Sequence, residues 1–148
     1  MRRLATIVLA VALVAVPALA RKERVSIQGS GKGIIVEATI NQRVTGRFLL
    51  DTGASYCVIS KDTASEAGLS GRKDGPKAHM TTASGLVVEA TVGQARRMEI
   101  GNAVARDVAV AVVERDPFPG LRGLIGLSFL HQFKYSIDSA NGVLLLEN

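Results

Sequence analysis

Short apolar runs set off by turn-forming residues recur along the chain. Residues 34–40 and 44–50 are rich in β-branched and apolar positions with partial alternation, and the polar Asn41-Gln42-Arg43 between them predicts a hairpin. Val58-Ile59-Ser60 predicts a short strand. Ser60 or Asp62 then caps a brief helix over about residues 61–67, which Gly68 stops. A polar loop follows over 70–76. Residues 78–82 and 86–92 flank Ala83-Ser84-Gly85 as a second hairpin with a small, mobile tip, and 94–100 and 103–113 form a third pair around Gly101-Asn102. Asp116-Pro117-Phe118-Pro119-Gly120 marks residues 114–122 as a loop. Leu124-Ile125-Gly126 leads into one or two helical turns over 127–133. Residues 134–138 and 143–147 bracket Asn141-Gly142, a strong signal for a tight hairpin. Close-set strands with two short helices predict an all-β, barrel-like domain. Hairpin, loop and short helix recur faintly in each half.

The ends change this picture. Met1-Arg2-Arg3, the uncharged run from Leu4 to Ala20 and the closing Ala18-Leu19-Ala20 have the basic start, apolar middle and small-residue site of a secretory signal. Residues 1–20 are therefore set apart as a signal peptide. The alternative is an uncleaved tether in the inner membrane, for which the run is short. The protein is expected to be exported, to the periplasm or beyond. Residues 21–33, with Gly29-Ser30-Gly31-Lys32-Gly33, read as a flexible lead-in; Lys32 is followed by glycine and a β-like run, so no phosphate-cradling loop is present. Residues 34–148 are enough for one domain and too few for two.

The formal charge of +5 falls to +3 without Arg2 and Arg3. No Lys/Arg cluster with interleaved aromatics appears and there is no Trp, which argues against a nucleic-acid partner. Cys57 is the single cysteine, so the fold must be held by packing rather than by an intrachain disulfide. It is expected to be a small buried hydrophobe.

The candidate chemistry centres on Leu49-Leu50-Asp51-Thr52-Gly53-Ala54-Ser55, where an apolar strand delivers one carboxylate into a turn of small residues. Gly53 is expected to supply dihedrals closed to other residues and to allow a close approach. The plain alternative is a surface strand-to-turn junction. The stretch and the later Leu124-Ile125-Gly126 together resemble the retropepsin-like aspartic proteases, in which an Asp-Thr-Gly-Ala loop is laced to a downstream hydrophobic-hydrophobic-Gly segment. Within that family the chain looks most like small exported bacterial members.

The resemblance implies a single-lobed closed barrel that works as a homodimer on peptide or protein substrates, without a cofactor or metal. Peptide hydrolysis of this kind uses two carboxylates about 3 Å apart that share one proton. One Asp-Thr-Gly supplies only one, so a twofold dimer would present Asp51 twice; Asp138, in the weak echo Asp138-Ser139-Ala140, is the poorer intrachain candidate. By the same resemblance, Asp51 would be catalytic, Thr52 would hydrogen-bond across the dimer axis, and Gly53 would offer its N–H to the carboxylate. A local turn bond is the alternative for Thr52. Ala54, the flap tip Ala83-Ser84-Gly85, Phe118 and Leu124 would contact substrate; Phe118, Leu121 and Leu124, beside Pro117, would form an apolar subsite, core packing being the alternative, and Arg122 puts the polarity of that subsite in question.

Other schemes fit less well. There is no Gly-x-Ser-x-Gly, and Cys57 with His79 or His131 has no informative spacing for a thiol dyad or a zinc site. The readings that remain are an aspartic endopeptidase, a non-catalytic peptide-binding or dimerisation module on the same barrel, and a thiol function at Cys57.

Overall fold

The computed structural model describes residues 21–30, 33–69, 75–82, 85–116 and 118–148. The expected leader, residues 31–32, most of the 70–76 loop, and Ala83, Ser84 and Pro117 lie outside the described residues.

Alternation in the central strands is what builds the barrel. Strands β3 (Gly33–Ile40) and β4 (Val44–Leu50) form the expected hairpin through a three-residue connection, in which Asn41 and Gln42 both take positive φ (49° and 59°) and the Arg43 N–H donates to the Ile40 carbonyl at 3.0 Å. β4 runs parallel to β9 (Gly123–Ile125), which pairs with β5 (Cys57–Ser60), and β5 runs parallel to β8 (Ala103–Val113). β8 pairs with β7 (Val87–Ile100), and β7 reaches back to β3 through Thr39↔Glu99 and Ile40↔Met98. That last pairing closes the sheet on itself into an all-β barrel. β6 (Lys77–Thr81) hangs from β7 as the outer arm of the flap hairpin, and β2 (Gln28–Ser30) extends the other end of the sheet. A separate three-stranded sheet has the order β1 (Lys22–Ser26), β11 (Val143–Glu147), β10 (Lys134–Asp138).

Two expectations need correction. Residues 21–30 are not part of a flexible lead-in: β1 pairs along its length with β11, and the Glu23 carboxylate accepts the Asn102 backbone N–H at 3.0 Å. Its polar outward residues conceal a strand that turns only alternate positions inward. The separate strands expected over 86–92 and 94–100 are one strand, because Gly93 stays in register with Val110 and makes no turn.

Both helices are short for local reasons. α1 (Lys61–Glu66) starts where the Ser60 hydroxyl accepts the Thr63 N–H at 3.2 Å and ends before Gly68, at φ +63°. α2 (Leu127–Leu130) covers one turn and buries Phe129 and Leu130 against the barrel. Phe48, Ile40, Ile59, Met98, Ile100, Ile125 and Phe129 are fully buried in the main core. A second apolar cluster, built on Val58, Ala90, Ala111, Val113 and Leu124, lies beneath the flap with Leu49, Tyr56, Met80, Val88 and Phe118 packed on it. Period-two geometry makes the division: Phe48 and Leu50 enter the core while Leu49 faces the flap, and Ile125 enters the core while Leu124 faces the flap.

Beside the seam that closes the barrel, Arg97 Nη2 donates to Glu99 Oε1 at 2.6 Å, and this bond holds the Glu99 carboxyl below its ordinary range. Its stabilising contribution is therefore present at neutral pH and is lost as pH falls through the lowered folded-state value. Glu99→Gln is expected to melt below wild type at about pH 7 and level with it once the pH lies well below that lowered value, as thermal unfolding across an acid-to-neutral pH series would measure.

Candidate active site

Asp51 stands at the first position after β4, and the backbone around it leaves little freedom. Its N–H donates to the Ile125 carbonyl at 3.0 Å, one step beyond the β4/β9 ladder. Its carboxylate Oδ1 accepts the Gly53 N–H at 2.8 Å, and Ala54 N–H closes the turn on the Asp51 carbonyl at 3.3 Å. The downstream segment then threads against the loop: Leu127 N–H donates to Ala54 O at 2.8 Å and Ser128 N–H to Ser55 O at 3.0 Å. Gly126 is the pinch point, since a Cβ there would lie 2.3 Å from the Tyr56 carbonyl oxygen and 2.7 Å from that of Ala54. The two motifs that stand far apart in the sequence are thus one interlocked unit.

Gly53 differs from expectation in one respect. Its φ is not positive; glycine is favoured by space, because a Cβ would come tightly, at 3.1 Å, against Asp51 Oδ1. Thr52 and Gly53 are exposed at the tip of the loop. The Thr52 hydroxyl has no hydrogen-bond partner among the described residues, so the local turn bond is not made.

Above Asp51 is a cavity of about 490 Å³. Its lining brings Asp51, Gly53, Ala54, Phe118 and Leu124 together with Tyr56 and the flap strand from Ala78 to Thr82. Asp116 Oδ1 accepts the Phe118 N–H at 2.8 Å and so fixes the loop that presents this ring. Thr52, Gly85 and Leu121 are not among the lining residues, and Ala83 and Ser84 lie outside the described ones. Gly85 instead shapes the flap tip: it sits at φ +81°, donates its N–H to Thr82 O at 2.9 Å, and leaves Leu86 and Val87 exposed beside it.

Arg122 is turned away from the cavity. Its stem lies over Gly46, where a Cβ would meet Arg122 Cγ at 2.5 Å, and its guanidinium pairs with Glu66 of α1. The subsite is accordingly apolar on this side. Among the described residues Asp51 is the one carboxylate in the lining. Asp138 is engaged elsewhere: it accepts Asn141 Nδ2 at 2.7 Å and Asn141 N–H at 3.0 Å, and these bonds hold its carboxyl low.

The thiol reading loses its geometry. Cys57 is fully buried, burial pushes its thiol up, and its contacts are Gly126 N–H at 3.4 Å and Ser128 Oγ at 3.5 Å rather than a histidine. His131 is exposed at the end of α2, and His79 lies on the flap strand opposite Glu89.

Comparison with known proteins follows the same outline. The family described as "gag-polyprotein putative aspartyl protease" matches residues 36–132, which include the Asp51 loop, the flap and Leu124-Ile125-Gly126. The chain belongs to this retropepsin-like family. Among solved structures, that of a retropepsin-like aspartic protease from Rickettsia conorii is similar in fold, with a TM-score of 0.64 at 23% identity over 86% of this chain and 91% of the other. No curated protein matches the chain. Two features of this retropepsin-like chain escaped sequence reasoning. Ser128 reads as an ordinary helical serine, and the flap-side wall of Tyr56, Met80 and Val88 is signalled only by alternation once the register is known.

Proposed function

We propose that this protein is an aspartic endopeptidase whose acid-base pair is Asp51 from each of two copies related by a twofold axis. The observation that carries the reading is a half-buried carboxylate at the start of a backbone-tied loop, the one carboxylate among the described residues that line an apolar cavity under a hairpin. One carboxylate cannot serve as both acid and base in the same step. A twofold axis beside Thr52 would supply the second without new sequence, and the exposed Thr52 hydroxyl, which has no partner among the described residues, would bond across it. Two carboxylates so close hold one proton between them. The ionised member takes a proton from a bound water as that water attacks the peptide carbonyl carbon, and the protonated member gives its proton to the carbonyl oxygen. Proton transfer to the amide nitrogen then breaks the C–N bond.

Substrate would lie extended between the loop and the flap, with an apolar side chain against Leu49, Phe118 and Leu124. The flap would close over it and exclude water. Met1-Arg2-Arg3 and the apolar run that follows support action outside the cytoplasm, on envelope or secreted proteins.

A peptide-library digest of residues 21–148, run from about pH 4 to about pH 8 with and without a hydroxyl-bearing transition-state mimic, tests this. Cleavage beside apolar residues, blocked by the mimic, is the expected result. Failure to cleave or to bind the mimic at any pH would leave the non-catalytic module in its place.

A further inference from the structure

We propose that Ser128 is a positioning residue for Asp51, an inference that rests on Asp51 being the reacting carboxylate. Its hydroxyl accepts the Cys57 N–H at 2.9 Å and donates to the Ala109 carbonyl at 2.7 Å. Those two groups flank Cys57↔Val110, the first pair of the parallel ladder between β5 and β8. One side-chain oxygen therefore joins α2, β5 and β8 at the point where the loop that starts at Asp51 ends.

Elsewhere the loop is tied to the second motif through backbone, and within itself by the Gly53 N–H on Asp51 Oδ1 as well. Its start is held by Asp51 N–H on Ile125 O, and its middle by Leu127 N–H on Ala54 O and Ser128 N–H on Ser55 O. The Ser128 hydroxyl is the side-chain tie at the far end, reinforced by its contact with the buried Cys57 sulfur, which also receives Gly126 N–H. Removing it strips the Cys57 N–H and the Ala109 carbonyl of a shared partner in a half-buried place. The end of the loop is then free to shift, and Asp51 with it. Leu49, Phe118 and Leu124 line the cavity from β4, the loop before β9 and β9 itself, outside the segment that shifts, whereas Gly53, Ala54 and Tyr56 move with it. Displacement of a reacting group by about 1 Å can lower a rate by about 100-fold while leaving binding contacts intact. Chemistry should therefore suffer more than substrate affinity.

The test compares Ser128→Ala and Ser128→Thr with the wild-type protein by steady-state kinetics on a cleaved peptide and by amide hydrogen exchange. Ser128→Ala is expected to lower kcat by about 10-fold or more with KM changed by less than about threefold. Exchange should quicken in residues 52–57 while the amides of β7 and β8 remain as in wild type. Ser128→Thr, which keeps the hydroxyl, should restore both. Wild-type kcat in Ser128→Ala overturns the proposal. So does a loss of kcat with exchange quickened throughout the barrel and no rescue by threonine, because that is the mark of general destabilisation. If the wild-type protein cleaves nothing, the protease reading fails separately. The exchange data then still decide whether the hydroxyl holds the loop: protection lost only at 52–57 sustains that role, and unchanged protection removes it.

Discussion

Asp51→Asn is expected to reduce kcat/KM by at least about 1,000-fold while the protein keeps its fold and its state of association. The magnitude follows from symmetry. In a homodimer the substitution strikes both members of the pair at once, so no carboxylate remains to take the proton from water and none to protonate the leaving nitrogen. The fold should be spared because the asparagine side-chain oxygen can still accept the Gly53 N–H now received by Asp51 Oδ1, and because Asp51 N–H bonds through backbone to Ile125. A mixing experiment sharpens the prediction. If each active site draws one carboxylate from each copy, equal amounts of wild-type and Asp51→Asn chains, allowed to exchange, should retain about a quarter of the wild-type activity. A site complete within one chain would retain about half. Half the activity in the mixture, or wild-type activity in the pure variant, would dismiss the shared pair.

The parts of this molecule that were legible in the sequence are those where a local rule and the global fold agree. The Asn41-Gln42 turn, the Ser60 cap, the stop at Gly68 and the Asn141-Gly142 hairpin each obey turn or cap chemistry that tertiary context does not oppose. The candidate loop was legible because its chemistry is compressed into a few adjacent residues. What could not be read depends on neighbours distant in sequence. β1 looked like a polar lead-in, since an edge strand buries only alternate residues and its Glu23 is spent on Asn102. Gly93 looked like a break because a glycine in a strand resembles one in a turn until the pairing with β8 is known. Arg122 looked like a subsite residue by its position, yet Glu66 and the bare backbone at Gly46 draw it to the other face. Ser128 gave no signal at all, because its partners Cys57 and Ala109 meet only when β5 and β8 pair. For Gly53 one of the two expected reasons for glycine holds: close approach beside the carboxylate favours it, and no unusual dihedral is used.

The same distinction between room and dihedral gives the largest expected effect on stability. Gly126 has φ −111° and ψ −168°, an extended conformation that any residue adopts without strain. Its alanine variant would nevertheless place a methyl group 2.3 Å from Tyr56 O and 2.7 Å from Ala54 O. These are backbone atoms held in the interlock, so no side chain can swing aside. The loop over residues 54–56 would have to move outward, which would break the Leu127 N–H to Ala54 O bond and the Ser128 N–H to Ser55 O bond. Overpacking at the buried Gly126 together with the loss of two backbone bonds is expected to cost about 3 kcal/mol or more, enough to lower the melting temperature by roughly 10 °C. Gly29→Ala is the control, because a Cβ there meets nothing within 4 Å and should change stability by less than about 0.5 kcal/mol. Denaturant unfolding of the two variants beside wild type makes the comparison. A Gly126→Ala protein as stable as the Gly29→Ala control would mean that the two motifs are not interlocked as described, and that the Asp51 loop is held by something other than the passage of the second motif beneath it.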